Sequence, residues 1–106
     1  MCDKRLDETL DKLVVALCAD FPRRKREIES GMASRRAEME YRYLNFKMIS
    51  AADEVVGIGR GEQMIEEIAK RIGYYSADFE DLSEKRYKLM KAEVKRNIAR
   101  KLRLCD

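Results

Sequence analysis

The 106-residue chain contains no histidine and no tryptophan, and it has only one proline and five glycines. Without histidine, the most common general base and a frequent zinc ligand are both missing. Because proline and glycine are the strongest helix-breaking signals, their scarcity favours long helices. With 41% charged and 45% hydrophobic residues, the composition predicts an all-α fold: one domain over residues 1–106, a compact bundle of four to five helices.

Long apolar segments are also missing. The longest unbroken apolar run, Leu13 to Ala19, has seven residues, whereas a bilayer span needs roughly 20. The first residues, Met1 to Arg5, lead directly into a mixed-charge heptad pattern and do not resemble a signal peptide. We therefore expect no membrane segment and a cytoplasmic location.

The three cysteines, Cys2, Cys18 and Cys105, are odd in number and widely spaced. This pattern, in a chain without histidine, indicates neither a disulfide framework nor a zinc site. We expect three reduced thiols, with Cys18 packing as a small apolar residue, and no metal or cofactor.

Residues for catalysis are missing as well. No cysteine has a base at a recognisable catalytic spacing, and no Gly-Lys-Ser/Thr loop is present. The adjacent acids Glu66 and Glu67 would point about 100° apart on a helix, so they could not easily share a substrate. We expect no enzymatic activity.

The first predicted helix runs from about Asp3 to Ala19, with leucines recurring every three or four residues. Pro22 is expected to end it, because proline lacks an N–H and disfavours helical geometry in the preceding residue. The four cations Arg23, Arg24, Lys25 and Arg26 then open a short helical stretch that ends near Gly31. They are interpreted either as a solvated corner or as a second phosphate contact.

A long central helix is predicted from near Ser34 to Val56, with Ser34 as its N-cap. Its apolar residues extend beyond one face, so this helix should be the central element against which the others pack. Alternatively, the apolar residues outside the main face could form a homodimer contact. The main apolar face comprises Tyr41, Leu44, Met48, Ala52 and Val55.

The only glycine cluster, Gly57 to Gly61, lacks the lysine and hydroxyl residue of a phosphate-binding loop and is interpreted as a flexible break. A short helix is predicted from Glu62 to Ile72, ending at Gly73. The order of residues from Glu66 to Gly73 is typical of the first helix of a helix-turn-helix, in which Ala69 would allow close helix crossing and Gly73 would take a positive φ.

The final helix carries a concentrated positive charge. From Lys85 to Leu104 there are nine basic residues and one acid, Glu93, whereas residues 1–84 have a net charge of −4. Asp81 or Ser83 can cap this helix. Tyr87, Met90, Val94, Ile98, Leu102 and Cys105 form one apolar face, and cations occupy the opposite side. Such a helix suits nucleic acid, although a solvated charged helix, an anionic membrane or an acidic protein partner remain alternatives.

The order of residues 66–74 and of the segment from Ser83 to Leu102 resembles small phage and prophage regulators of the late-transcription activator type (RinA-like and ArpU-like), which are similar to sigma factor region 4. The resemblance covers residues 62–104. It implies a helix-turn-helix in which the last helix lies in the major groove and Tyr87 is partly packed. The residues that it places near bases and phosphates are Ser83, Glu84, Lys85, Arg86 and Lys88. In place of the family's short turn, this chain has a longer acidic stretch from Tyr74 to Leu82, which could shield the basic helix.

These observations predict a transcriptional regulator that binds double-stranded DNA through a C-terminal helix-turn-helix-like unit, with a homodimer through the central helix for specific sites. The alternative is a small helical adaptor or inhibitor that binds an acidic protein. The predicted nucleic-acid-binding residues are Lys85, Arg86, Lys88, Lys95, Arg96, Arg100, Arg103, Arg23, Arg24, Lys25 and Arg26.

Overall fold

The computed structural model describes residues 6–70 and 79–105. In these ranges the chain forms four helices: α1 (Glu8–Ser30), α2 (Arg35–Val56), α3 (Gly61–Ala69) and α4 (Glu84–Lys101). The prediction of an all-α bundle of four to five helices is confirmed. No helix in the described part of the chain is long and apolar enough to cross a membrane.

The first helix continues through Pro22, so the prediction of a break at this residue is wrong. Phe21 and Arg24 lie on the buried face on either side of the proline, and Pro22 itself is exposed. The Arg24 guanidinium donates to the carbonyl oxygen of Leu17 at 3.0 Å, one residue before Cys18, whose carbonyl would accept the N–H that Pro22 lacks. Tertiary burial of two neighbours therefore outweighs the local cost of proline, and α1 ends only at Gly31, whose φ is 70°.

The predicted bounds of α2 are confirmed. The Ser34 hydroxyl accepts a hydrogen bond from the Ala37 amide at 3.2 Å, and Gly57 ends the helix with a φ of 108°. Met48 and Ala52 are fully buried, and α2 packs against all three other helices, most extensively against α3 and α4. The prediction that α2 is the central element is also confirmed.

The start of α3 lies close against α2. The amide of Gly61 donates to the carboxylate of Asp53 at 2.7 Å, whereas Arg60, at the N-cap position, provides no side-chain cap. A Cβ at Gly61 would lie only 2.8 Å from the Asp53 amide nitrogen and 2.9 Å from the Ile49 carbonyl oxygen. The glycine cluster therefore permits a close helix crossing. Residues 71–78, which include the predicted helix end at Gly73, lie outside the described residues.

The cysteines are in two different states. Cys18 is a free, fully buried thiol packed in the core, as predicted, and burial raises its pKa to about 12. Cys105 is disulfide-bonded, so the prediction of three reduced thiols is wrong at this residue. Spacing along the sequence does not reveal which residues folding brings together. No cluster of metal-binding side chains occurs in residues 6–70 and 79–105.

Candidate nucleic-acid interface

Helix α4 is held with one face in the core. The Ser83 hydroxyl caps the helix by accepting a hydrogen bond from the Arg86 amide at 3.2 Å. Tyr87, Val94 and Ile98 are fully buried, as the spacing of apolar residues predicted. Because these residues face α2 and the rest of the core, the opposite face of α4 is directed to solvent.

Buried polar contacts also fix the orientation of α4. The Tyr87 hydroxyl donates to the Glu67 carboxylate at 2.7 Å, which links α4 to α3. The expectation of a partly packed Tyr87 is corrected, since its exposed fraction is 0%. Burial, together with the bond to Glu67, raises the pKa of Tyr87. The Asn97 side-chain amide donates to the Ala51 carbonyl at 2.7 Å and joins α4 to α2. These contacts restrict rotation of α4 about its own axis.

Three cations on the solvent face of α4, and a fourth just after the helix ends, make no ion pair with any carboxylate in the described part of the chain. They are Lys85, Arg86, Arg96 and, after the helix, Arg103. Lys85, Arg86 and Arg103 are exposed, and Arg96 is half-buried. The guanidinium of Arg100 is exposed and donates to the Asn97 side-chain oxygen at 3.2 Å. These five charges are available to an external anion.

Two other predicted cations already have carboxylate partners. Lys88 pairs with Glu84 at 3.1 Å on the exposed helix surface, a contact of low energy that a phosphate could replace. Lys95 pairs with Asp11 of α1 at 2.6 Å and is only 21% exposed. Its position indicates that Lys95 contributes mainly to the packing of α4 on α1.

The basic cluster at residues 23–26 serves mainly as a structural element of α1. Arg24 is 2% exposed, and it donates to the Asn45 side-chain oxygen at 2.8 Å and to Asp20 at 3.0 Å. The prediction that Arg24 contacts phosphate is therefore corrected, because its guanidinium is inside the protein. Burial lowers the pKa of Arg24, and the neighbouring Asp20 partly offsets this effect.

The other members of this cluster differ from one another. Arg23 binds the carboxylates of Asp20 and Glu27, and these hydrogen bonds raise its pKa. Lys25 bonds to Glu62 of α3 at 2.7 Å. Arg26 is exposed and makes no ion pair within the described residues. The contacts of the cluster are with α2 and α3, so the structure does not join it to the basic face of α4.

The described end of the acidic stretch turns away from α4's solvent face. Phe79 is fully buried and its ring lies 5.9 Å from that of Tyr87. Asp81 pairs with Arg60 at 3.2 Å, so this carboxylate has a partner other than the basic helix. Asp78 and the rest of residues 74–78 lie outside the described residues.

Leu89 is a residue of this face that the charge pattern alone does not indicate; it is 58% exposed on the same side of α4 as Lys85 and Arg96. A helical wheel could have revealed it, because nine residues separate Leu89 from the buried Ile98, which is half a revolution. Glu93, the one acid on this side of α4, is also exposed. The solvent face thus combines several cations with a single large apolar side chain.

A scan against protein-family models, a search of curated proteins and a search of solved structures found no match to this chain. The resemblance to phage late-transcription activators therefore stays a hypothesis based on residues 62–104. The geometry of α4 is a separate observation: one face of the helix packs on the core and the other is cationic.

Proposed function

We propose that this chain is a phage- or prophage-type transcriptional regulator that binds double-stranded DNA with the solvent face of α4. The observation that carries the proposal is the group of α4 cations that pair with no carboxylate of residues 6–70 and 79–105, opposite a firmly docked core face. Lys85 and Arg86, at the start of the helix, are placed to reach base edges, while Arg96, Arg100 and Arg103 would neutralise phosphates. The function is one of binding, without catalysis, and DNA in the cytoplasm is the expected target.

Reversing three of these charges should abolish most of the DNA affinity. A Lys85→Glu, Arg86→Glu, Arg96→Glu variant should bind a random-sequence duplex at least tenfold more weakly at low salt. The slope of log affinity against log salt should also become less steep by about one unit, because Arg96 is the phosphate contact among the three changed residues and each lost phosphate contact removes roughly one unit. Fluorescence anisotropy measures both quantities. The Lys85→Glu and Arg86→Glu changes should not disturb folding, because both acids would lie in the first turn of α4 and interact favourably with its dipole. Circular dichroism checks that Arg96→Glu, further along the helix, also leaves the fold intact.

The matched control changes the same total charge elsewhere. Lys12, Arg35 and Arg36 are exposed near the starts of α1 and α2, and reversing all three should reduce affinity much less than the α4 variant does. Equal losses in the two variants would show that only net charge matters. Absence of binding by the parent chain at low salt would contradict the proposal and favour an acidic protein as the partner.

The proposal includes a homodimer through α2. Met39, Tyr43 and Phe46 are 66%, 62% and 69% exposed and lie within an arc of about 60° on this helix. An antiparallel two-fold pairing of α2 would place Met39 against Phe46 of a second copy and Glu38 against Lys47. Apolar residues of one copy would thus face apolar residues of the other, and acidic residues would face basic ones. A two-fold interface requires this kind of self-complementarity.

Acidic substitutions on this stripe should prevent self-association. The parent chain should show concentration-dependent dimer formation in sedimentation equilibrium, and a Tyr43→Asp, Phe46→Asp variant should stay monomeric, because the interface would bury unpaired charges. Ile58, which is 96% exposed in the loop after α2, provides the control; Ile58→Asp should dimerise like the parent. A parent chain that stays monomeric at high micromolar concentration would exclude this interface.

A further inference from the structure

Leu89 lies outside the hydrophobic core that residues 6–70 and 79–105 form. It is the sixth residue of α4, lies half a revolution from the buried Ile98 and is 58% exposed. It is the only large, exposed hydrophobic side chain on α4 in the described part of the chain. A helix face that docks on another protein usually presents several apolar anchors at helical spacing. A single leucine therefore fits an apolar target of about the size of one or two methyl groups.

The surroundings of Leu89 define the charge of that target. Lys85 precedes it by one turn and Arg96 follows it by two turns, both within about 40° on the helical wheel. Leu89 also lines a shallow surface depression together with Glu84, Lys85 and Lys88. Because these cations outnumber the neighbouring acids Glu84 and Glu93, they favour a ligand that presents small apolar groups within a polyanionic surface.

We infer that Leu89 contacts thymine C5-methyl groups in the major groove and confers a preference for A·T pairs at its position in the DNA site. Thymine is the one standard base that presents a methyl group in the major groove, and its discrimination there depends on apolar contact. Leu89 lies in the first half of α4, the part of a recognition helix that faces base edges. This inference rests on the proposed binding of DNA by α4.

The test compares DNA with and without thymine methyl groups. A pool of duplexes with a random core is enriched on the parent protein and then amplified with either dTTP or dUTP, so that the two pools differ only in the C5-methyl. The parent should bind the dUTP pool about fourfold more weakly for each methyl contact, which corresponds to burial of one methyl group at ~0.8 kcal/mol. Leu89→Ala should bind the two pools with equal affinity.

Leu13, a leucine of α1 that is 42% exposed, provides the matched control; Leu13→Ala should retain the parent's preference for the dTTP pool. Equal binding of both pools by the parent, with DNA affinity intact, would overturn the role of Leu89 and leave DNA binding standing. The same preference in Leu89→Ala as in the parent would also overturn it. Failure of the parent to bind either pool at low salt would overturn DNA binding itself.

Discussion

Replacing Gly61 with alanine is expected to lower the free energy of unfolding by about 3 kcal/mol, an effect that combines overpacking with loss of a helix cap. The new Cβ would lie 2.8 Å from the Asp53 amide nitrogen and 2.9 Å from the Ile49 carbonyl oxygen. Both are backbone atoms of α2, so α3 must move away as a unit. That movement would lengthen the 2.7 Å hydrogen bond from the Gly61 amide to Asp53. Thermal unfolding followed by circular dichroism should show a fall in Tm of roughly 12 °C or more.

Gly59→Ala separates this steric effect from the general cost of removing a glycine. Gly59 has a φ of 88°, and no atom lies within 4 Å of the position that its Cβ would occupy. Alanine there should cost only roughly 1–2 kcal/mol, from left-handed backbone strain. If Gly61→Ala were as stable as Gly59→Ala, the close approach of α3 to α2 would not occur in solution.

A second variant tests which part of the contact matters. Asp53→Ala removes the carboxylate that caps α3 and should by itself cost about 1 kcal/mol. Combined with Gly61→Ala it should give only partial recovery, because it removes the close contact of the new Cβ with the Asp53 carboxylate but leaves the two backbone contacts. Substantial recovery in the double variant would assign the strain to the Asp53 side chain.

The bounds of α2 and the start of α4 could be predicted from the sequence because the determining signals are local. Ser34 and Ser83 cap their own helices, and Gly57 ends α2 with a positive φ. The orientation of α4 was equally predictable, since the period of its apolar residues assigns one face to the core. Short-range chemistry suffices for such features.

Other features depend on contacts between distant residues. Continuation of α1 through Pro22 depends on burial of Phe21 and Arg24 against other elements. The pairing of Lys95 with Asp11 joins residues 84 positions apart, so the charge pattern of α4 alone overstates how many of its cations are available. These are tertiary effects that override local propensity, and a single sequence carries no direct record of them.

Arg24→Met is the other substitution with a large expected effect, a loss of about 3–4 kcal/mol in the free energy of unfolding. Arg24 is 2% exposed and donates to Asn45, Asp20 and the Leu17 carbonyl at 2.8–3.0 Å. Methionine would fill much of the volume but leave the buried Asn45 oxygen without this donor, and breaking a buried charged contact on one side typically costs several kcal/mol. Urea denaturation measures the change.

Arg26 provides the control for this substitution on the same helix. It is exposed, so Arg26→Met should change stability by no more than about 0.5 kcal/mol. DNA affinity provides an independent measurement, taken at a temperature where the Arg24→Met variant is folded. It should match that of the parent, because a buried guanidinium cannot reach a phosphate. A stable Arg24→Met variant with weakened DNA binding would mean that Arg24 faces solvent and acts in the interface.

A double substitution distinguishes the cost of an unsatisfied partner from the value of the hydrogen bond itself. In Arg24→Met, Asn45→Leu the buried carbonyl oxygen of Asn45 is removed along with its donor, so no polar group of this pair is left unmatched. We expect the double variant to be more stable than Arg24→Met by about 1–2 kcal/mol, since removing both partners of a buried contact costs less than removing one. If the two changes added independently instead, Arg24 and Asn45 would not be coupled, and the cost of Arg24→Met would come from its hydrogen bonds to Asp20 and the Leu17 carbonyl.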